Sequence, residues 1–205
     1  DVLFDQAYPQ LEGGVAGFIE RYLESPSAVL VLHGPPGTGK TRLIRAILGA
    51  MSRRLGAQAR VMVTSDACAL AADEIFTRFL AGSADAFVVE DADHLLRPRA
   101  DGNEHLHRFL TVADGVAHAN GRKIIFSSNL PNIGDMDDAL IRPGRCFARV
   151  RLRELTLDEA AQLWRELARG RERAAGIAAR AGGRRALSLA EIYQAAQDAF
   201  LRRAP

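Results

Sequence analysis

Eight consecutive residues, Gly34-Pro35-Pro36-Gly37-Thr38-Gly39-Lys40-Thr41, spell the pattern G-x-x-x-x-G-K-[ST], whose chemistry is that of phosphate. An anion with several oxygens needs several N–H donors around one concave point, and glycines let the backbone approach without a Cβ in the way. The loop lies between a predicted strand and a predicted helix, so the helix offers its positive end and unpaired amides to the same anion. In that setting Lys40 bridges the β- and γ-phosphates of a nucleotide, and the Thr41 hydroxyl binds Mg²⁺. A second string, Phe87-Val88-Val89-Glu90-Asp91-Ala92-Asp93, ends another predicted strand with adjacent carboxylates. In an open α/β sheet, ligands gather at the carboxyl ends of the strands, beside such a loop. One carboxylate can then hold the metal's shell while the next polarises an attacking water.

The elements that must hold these residues are legible as alternating patterns. Val29–His33, Arg60–Thr64, Ala86–Glu90 and Lys123–Ser127 are short, nearly continuous apolar runs, as expected of strands covered on both faces. A fifth run, Ala148–Leu152, alternates apolar residues with Arg, which suits an edge strand with its Arg side chains in water. Helical patterns fall between them, over Thr41–Leu55, Asp66–Leu80 and roughly Asn103–Val116. Strand alternating with helix predicts a doubly wound α/β sheet with right-handed crossovers. After Leu152 the pattern turns all-helical, and the domain boundary is expected near residue 154, with 1–154 as the α/β domain and 155–205 as a helical appendage. Thr156-Leu-Asp-Glu159 and Ser188-Leu-Ala-Glu191 read as capping boxes that open two of its helices. The Gly-, Ala- and Arg-rich stretch Gly170–Arg185 reads as a short helix between turns.

Composition narrows the class. The chain has 205 residues, 48% of them apolar and 25% charged, the balance of a globular protein rather than a disordered one. Net charge is +2, split into −2 over residues 1–150 and +4 over 151–205, which is weak grounds for a polyanionic partner. Of 27 cationic residues only Lys40 and Lys123 are lysines. Two cysteines, Cys68 and Cys146, make neither a disulfide framework nor a metal-ligand spacing, so a reducing, cytoplasmic compartment is expected. The apolar runs are too short to span a bilayer, and the first residues show no signal-peptide pattern. The chain begins at Asp1 rather than Met, as a fragment would. His105 and His107 would point apart on a helix, and His94 and His118 lack partners at ligand spacing, so the histidines read as surface or helix-end residues, with His33 as a strand end. Trp164 with Leu163 and Leu167 reads as core of the helical region. Arg97, Arg99 and Arg108 suit a solvated face, a subunit boundary or a central pore.

Taken together, GPPGTGKT at 34–41, VVEDAD at 88–93, FSSN at 126–129 and DDALIRPGR at 137–145 resemble the AAA clade of the AAA+ ATPases over nearly the whole chain. The resemblance implies a P-loop α/β fold, a five-stranded parallel sheet flanked by helices with a small C-terminal helical lid. It implies ATP and Mg²⁺ as ligands, with the whole loop Gly34–Thr41 on the phosphates. By analogy with the family, Asn129 is a sensor that positions water and reads the γ-phosphate, and Arg145 is a finger completing a neighbouring subunit's site. The implied assembly is a homo-oligomeric ring, by analogy a hexamer, that hydrolyses ATP to remodel or assemble a protein complex.

Three departures qualify that picture. Most of the clade ends the third strand in Asp-Glu, whereas Glu90-Asp91 is similar in order to the mitochondrial chaperone ATPases that insert a subunit into respiratory complex III. Matched by position, Glu90 takes the Mg²⁺ role with Thr41, and Asp91 that of catalytic base. The clade's second arginine would fall on Ala148, and Arg149 comes one position late. The aromatic loop of polypeptide-threading members is missing, since Thr64–Ala81 runs straight through a helical pattern. Two other readings stand beside the ring remodeller: a nucleotide-gated assembly scaffold with little or no hydrolysis, and an ATPase associated with nucleic acid through its Arg-rich faces.

Overall fold

A computed structural model describes residues 3–82, 84–97, 110–111, 114, 121–130, 144–167 and 181–201. Five parallel strands form one sheet: β1 (Val29–His33), β2 (Val61–Thr64), β3 (Ala86–Val89), β4 (Lys123–Ser128) and β5 (Cys146–Arg151). Their spatial order is β2-β3-β4-β1-β5. The strand that precedes the phosphate loop, β1, therefore lies between β4, which leads into Asn129, and β5, which follows Arg145.

Burial follows this order. β1, β3 and β4 are buried along their whole length, as their continuous apolar runs predict. β2 corrects the expectation: it is an edge strand, half-buried, with Val63 59% exposed. An apolar run reads the same at the middle of a sheet and at its edge, because strand order is a tertiary property. β5 is the other edge, and Arg149 and Arg151 are exposed on it as expected.

Two apolar layers clamp the sheet. One face carries Val29, Val31, Phe87, Val89 and Phe126 in a cluster with Phe76, Phe79 and Leu95. The opposite face, through Leu30, Leu32 and Val88, packs on helices α1 (Gly14–Glu24) and α2 (Lys40–Leu55). Nothing in the sequence reading anticipates α1, whose apolar face is Val15, Phe18, Ile19 and Tyr22; two glycines blur its start, and the Val15 amide is capped from ten residues upstream by Asp5 Oδ1 at 2.7 Å.

The helical run expected over Asp66–Leu80 is two helices, α3 (Ala67–Ala71) and α4 (Asp73–Ala81), broken at Ala72 in an extended conformation. Asp66 caps the first through the Cys68 amide at 2.8 Å. A short helix α5 (Asp93–Leu96) follows β3. Most of the helix expected over Asn103–Val116 and most of DDALIRPGR lie outside the described residues, as do Arg99, Arg108, His105, His107 and His118; Leu110 and Thr111 are helical.

The described C-terminal elements are β6 (Leu155–Thr156), α6 (Leu157–Leu167), β7 (Ala186–Leu187) and α7 (Leu189–Leu201); most of Gly170–Arg185, where a short helix is expected, lies outside the described residues. β6 and β7 pair antiparallel, a ladder too short to be seen in a hydrophobic pattern. Both capping boxes form. The Thr156 amide donates to Glu159 Oε2 at 2.8 Å and the Glu159 amide to Thr156 Oγ1 at 3.3 Å; Ser188 and Glu191 repeat the exchange at 2.8 and 3.3 Å. Leu163, Trp164, Leu187, Leu189 and Ile192 join the same apolar cluster as Leu30, Leu32 and Leu43, so these helices rest on the layer that carries the phosphate loop.

Candidate functional site

Three glycines of the loop after β1, Gly34, Gly37 and Gly39, hold positive φ, and two of them are packed too tightly for a side chain. At Gly34 (φ 138°) a Cβ would collide with the Leu152 carbonyl oxygen. At Gly39 (φ 93°) it would meet Leu189 Cδ2 at 2.5 Å and the Tyr8 hydroxyl at 2.8 Å. Any larger residue would have to push the loop away from the elements behind it. The Tyr8 hydroxyl donates to Gly39 O at 3.0 Å, and the Ala190 amide at the start of α7 donates to Gly37 O at 2.9 Å. Both ends of the chain thus grip the loop from outside, a contact that local sequence could not signal.

Lys40, the first residue of α2, is 8% exposed. Its Nζ donates to Gly34 O at 2.7 Å, to Pro35 O at 2.9 Å and to Asn129 Oδ1 at 2.9 Å. Burial pushes its pKa down, and the carboxylates of Asp91 and Asp93 pull it back up; three acceptors around one ammonium keep the charge inside the protein. Asn129, just past β4, uses both ends of its amide, since its Nδ2 donates to Asp91 Oδ1 at 3.1 Å. Asp91 holds φ at 50°, a left-handed conformation that Asp and Asn tolerate better than other side chains. Glu90, one residue earlier, instead accepts from Thr41 Oγ1 at 3.1 Å. The two adjacent acids are therefore split between two jobs: Glu90 goes to the loop's hydroxyl and Asp91 to the amide that touches Lys40.

Thr41 and Glu90 present a hydroxyl and a carboxylate oxygen, the hard donors Mg²⁺ takes. Their 3.1 Å separation is close to the edge of an octahedron with bonds of about 2.05 Å, roughly 2.9 Å. The pair fits the ion. Beside them opens a cavity of about 650 Å³ lined by Lys40, Thr41, Asp91 and Asn129 and, from α7, by Leu189 and Tyr193, a size that suits a small organic ligand. Arg42 also lines it, its guanidinium 3.7 Å from the centre of the Tyr193 ring; neither residue stands out in the sequence, though Arg42 directly follows Thr41.

Arg145 stands apart from this cluster. Its carbonyl accepts from the Val29 amide at 3.1 Å, at the start of β1, whereas the loop follows His33 at the strand's other end. Four steps of strand separate the two ends by roughly 13 Å. Its guanidinium is paired with Asp114, Nε to Oδ1 at 2.6 Å and a second bond to Oδ2, and that pairing raises its pKa further. Sequence reasoning therefore names five groups that meet at one point, and a sixth that lies away from them.

Among the described residues no cluster of His, Cys, Asp and Glu could form a metal site of its own, and no helix is long and apolar enough to cross a membrane. Comparison with known proteins gives the cluster its context. The chain is 29% identical over 166 residues to an AAA ATPase forming ring-shaped complexes from Bifidobacterium dentium, an alignment covering 71% of this chain and 31% of that protein. It is 32% identical over 146 residues to an ATP-dependent zinc metalloprotease FtsH 3 from Sphaerobacter thermophilus, covering 67% of this chain and 29% of the relative. A chloroplastic ATP-dependent zinc metalloprotease, FTSH 6 of Arabidopsis thaliana, is 34% identical over 131 residues, 58% of this chain and 19% of that protein. The chain thus spans less than a third of the length of these relatives. The family model described as "ATPase family associated with various cellular activities (AAA)" matches residues 30–154, from within β1 to just past β5. With a five-stranded parallel sheet, a phosphate loop after β1 and acids at the end of β3, the chain belongs to the AAA family of ATP-binding P-loop ATPases.

Proposed function

We propose that this module hydrolyses Mg·ATP at the junction between copies of itself in a closed ring, by analogy a hexamer, and uses the turnover to remodel or assemble a protein complex. Residues 1–154 form its nucleotide-binding domain and 155–205 its lid. Lys40 and the amides of Gly34–Thr41 hold the β- and γ-phosphates. Thr41 and Glu90 hold the Mg²⁺, which when bound neutralises charge on the phosphate oxygens. Asp91 accepts a proton from the attacking water as its oxygen bonds to the γ-phosphorus and the bond to ADP breaks. Asn129 orients that water and the γ-phosphate together. Arg145 stabilises charge on the γ-phosphate of the adjacent copy.

The observation that carries this reading is the position of Arg145. A guanidinium rooted roughly 13 Å down β1 from the loop is out of reach of its own phosphates, so a catalytic role for it requires a second subunit. The ring-forming name of the Bifidobacterium dentium relative supports the same reading. The test mixes two inactive variants, Lys40→Ala and Arg145→Ala. Interfaces that join an intact loop from one variant to an intact finger from the other recover ATPase activity, with a maximum at intermediate ratios. Mixed rings that form and stay inactive would remove the trans assignment.

The nucleotide-gated scaffold keeps one observation in its favour. Asp91 is a methylene shorter than Glu and is already bonded to Asn129, so its reach toward a water is limited. A turnover near zero in assembled wild-type rings, with tight Mg·ATP binding, would select that reading.

A further inference from the structure

Asp93 has no part in the mechanism above, yet it is bonded to the segment that presents Asn129. Its Oδ1 accepts the Ser128 hydroxyl at 2.7 Å and the backbone amide of Asn129 at 2.8 Å. Ser128 is fully buried, and its Oγ in turn accepts the Leu130 amide at 3.0 Å. From the far side, His33 Nδ1 lies 3.3 Å from Leu130 O. Residues 128–130 are thus held at each residue: by Asp93 at Ser128 and Asn129, and by Ser128 and His33 at Leu130. Asp93 is the first residue of α5, and α5 is tied to β4 by the Ala92 amide, which donates to Ser127 O at 2.8 Å.

The geometry points to Asp93 as the positioning residue for Asn129, an inference that rests on the ATPase reading for its kinetic consequences but not for its structural ones. Asn129 is the first residue past the end of β4, where no ladder partner fixes its backbone. Its amide side chain must place an acceptor on Lys40 and a donor on Asp91 at once, at 2.9 and 3.1 Å. A shift of a few tenths of an ångström in its Cα would lose one of the two. A carboxylate anchor on the backbone N–H supplies the stiffness, since hydrogen bonds to a charged acceptor are shorter and stronger than neutral ones. One oxygen accepting two donors also fixes Ser128 relative to Asn129, so the strand end and the side chain move together. Asp93 has a second effect through space, because its charge helps keep the buried Lys40 ammonium protonated. Nothing in residue types separates Asp93 from the two acids before it; only the hydrogen bonds do.

The test is a double-mutant cycle with a spectroscopic arm, made in the full protein. Asp93→Ala is expected to lower kcat about ten- to a hundredfold, the range of a lost hydrogen bond to a charged group, while Mg·ADP affinity changes less than about twofold because ADP has no γ-phosphate for Asn129 to read. Asp93→Asn, whose amide oxygen can accept both donors, restores most of that loss. In an Asn129→Ala background, Asp93→Ala adds little, because the group it positions is gone. The spectroscopic arm follows the ¹⁵N side-chain amide signals of Asn129 in nucleotide-free protein, assigned by their disappearance in Asn129→Ala; Asp93→Ala shifts or broadens them. If Asp93→Ala does not fold, Ser128→Ala takes its place in both arms. Additive losses in the cycle, or unmoved Asn129 signals, would overturn the inference. A wild-type protein without turnover would instead count against the ATPase reading, and the amide signals would still decide the role of Asp93.

Discussion

Exchanging Asp91 for Asn separates the two acids more cleanly than any other change at the site. Asn is nearly isosteric with Asp and tolerates the left-handed φ of 50° found at this position, so the backbone is not strained as it would be with Ala. Its amide oxygen can still accept from Asn129 Nδ2, which keeps the bridge to Lys40 and with it the phosphate end of the cavity. What is lost is the basic carboxylate. General-base catalysis is worth about 10²–10⁴ in rate, or roughly 2.7–5.4 kcal/mol at 1.36 kcal/mol per tenfold. Asp91→Asn is therefore expected to bind Mg·ATP like wild type and to turn it over about 10²–10⁴-fold more slowly. Glu90→Gln should do the reverse in part: the oxygen that faces Thr41 loses its charge, and Mg²⁺-dependent ATP affinity falls. The assay is steady-state phosphate release at saturating nucleotide, paired with calorimetric titration at varied Mg²⁺. If Asp91→Asn turns over normally while Glu90→Gln keeps its Mg²⁺ affinity and loses kcat, the two roles are exchanged and the assignment by position is refuted.

Three further outcomes follow from the same structure. Lys40→Ala should abolish tight ATP binding in a calorimetric titration, because it removes the cation that faces the phosphates; near-wild-type affinity would refute the loop assignment. The Arg153 guanidinium, with help from the Thr156 amide, holds the Glu159 carboxyl down at about 2, against an ordinary 4.5, so its stabilisation is complete above pH 4.5 and is lost as pH falls toward 2; Glu159→Ala should lower stability by about 0.5–2 kcal/mol at neutral pH, the worth of a helix cap, and flatten the acid limb of a denaturation series. Lys123, buried and donating to Ser25 O at 2.7 Å, is pushed down to about 8 from 10.5, so the unfolded chain binds more protons between those values and stability rises with pH from 8 toward 10; Lys123→Met should erase that rise, and a rise that persists would place its cause elsewhere.

The phosphate loop was legible because anion binding by backbone amides is a local property, written in eight adjacent residues. The three central strands were legible for a related reason: burial on both faces demands an uninterrupted apolar run. Three features escaped because they depend on what is distant. Val63 is exposed because β2 has no neighbour on its outer side, which no pattern within Val61–Thr64 records. The break at Ala72 divides a stretch whose composition is helical throughout. Tyr8 and Ala190 reach the loop from opposite ends of the chain, and Tyr193 reaches the neighbouring Arg42, contacts that tertiary packing alone brings about. Glu90 and Asp91 are adjacent acids in the sequence, and only the fold gives them separate partners, Thr41 and Asn129.

Those partners also bear on what binding a nucleotide must do. In the structure Lys40 already has three acceptors, Thr41 has Glu90, and Asn129 has a partner at each end of its amide. A buried ammonium needs this, since leaving it without acceptors would be more costly than any single hydrogen bond could offset. A phosphate that enters must therefore exchange bonds rather than add them, and its net gain is the difference between its own oxygens and the carbonyls of Gly34 and Pro35 as acceptors. The difference favours phosphate because its oxygens carry full charge. Asn129 lies where that exchange would be felt: taking Lys40 toward a γ-phosphate frees its Oδ1 and loosens its hold on Asp91. The group expected to distinguish ATP from ADP is thus the one bonded to the proposed base, which is the physical reason a single misplaced residue at 129 would disturb both recognition and turnover.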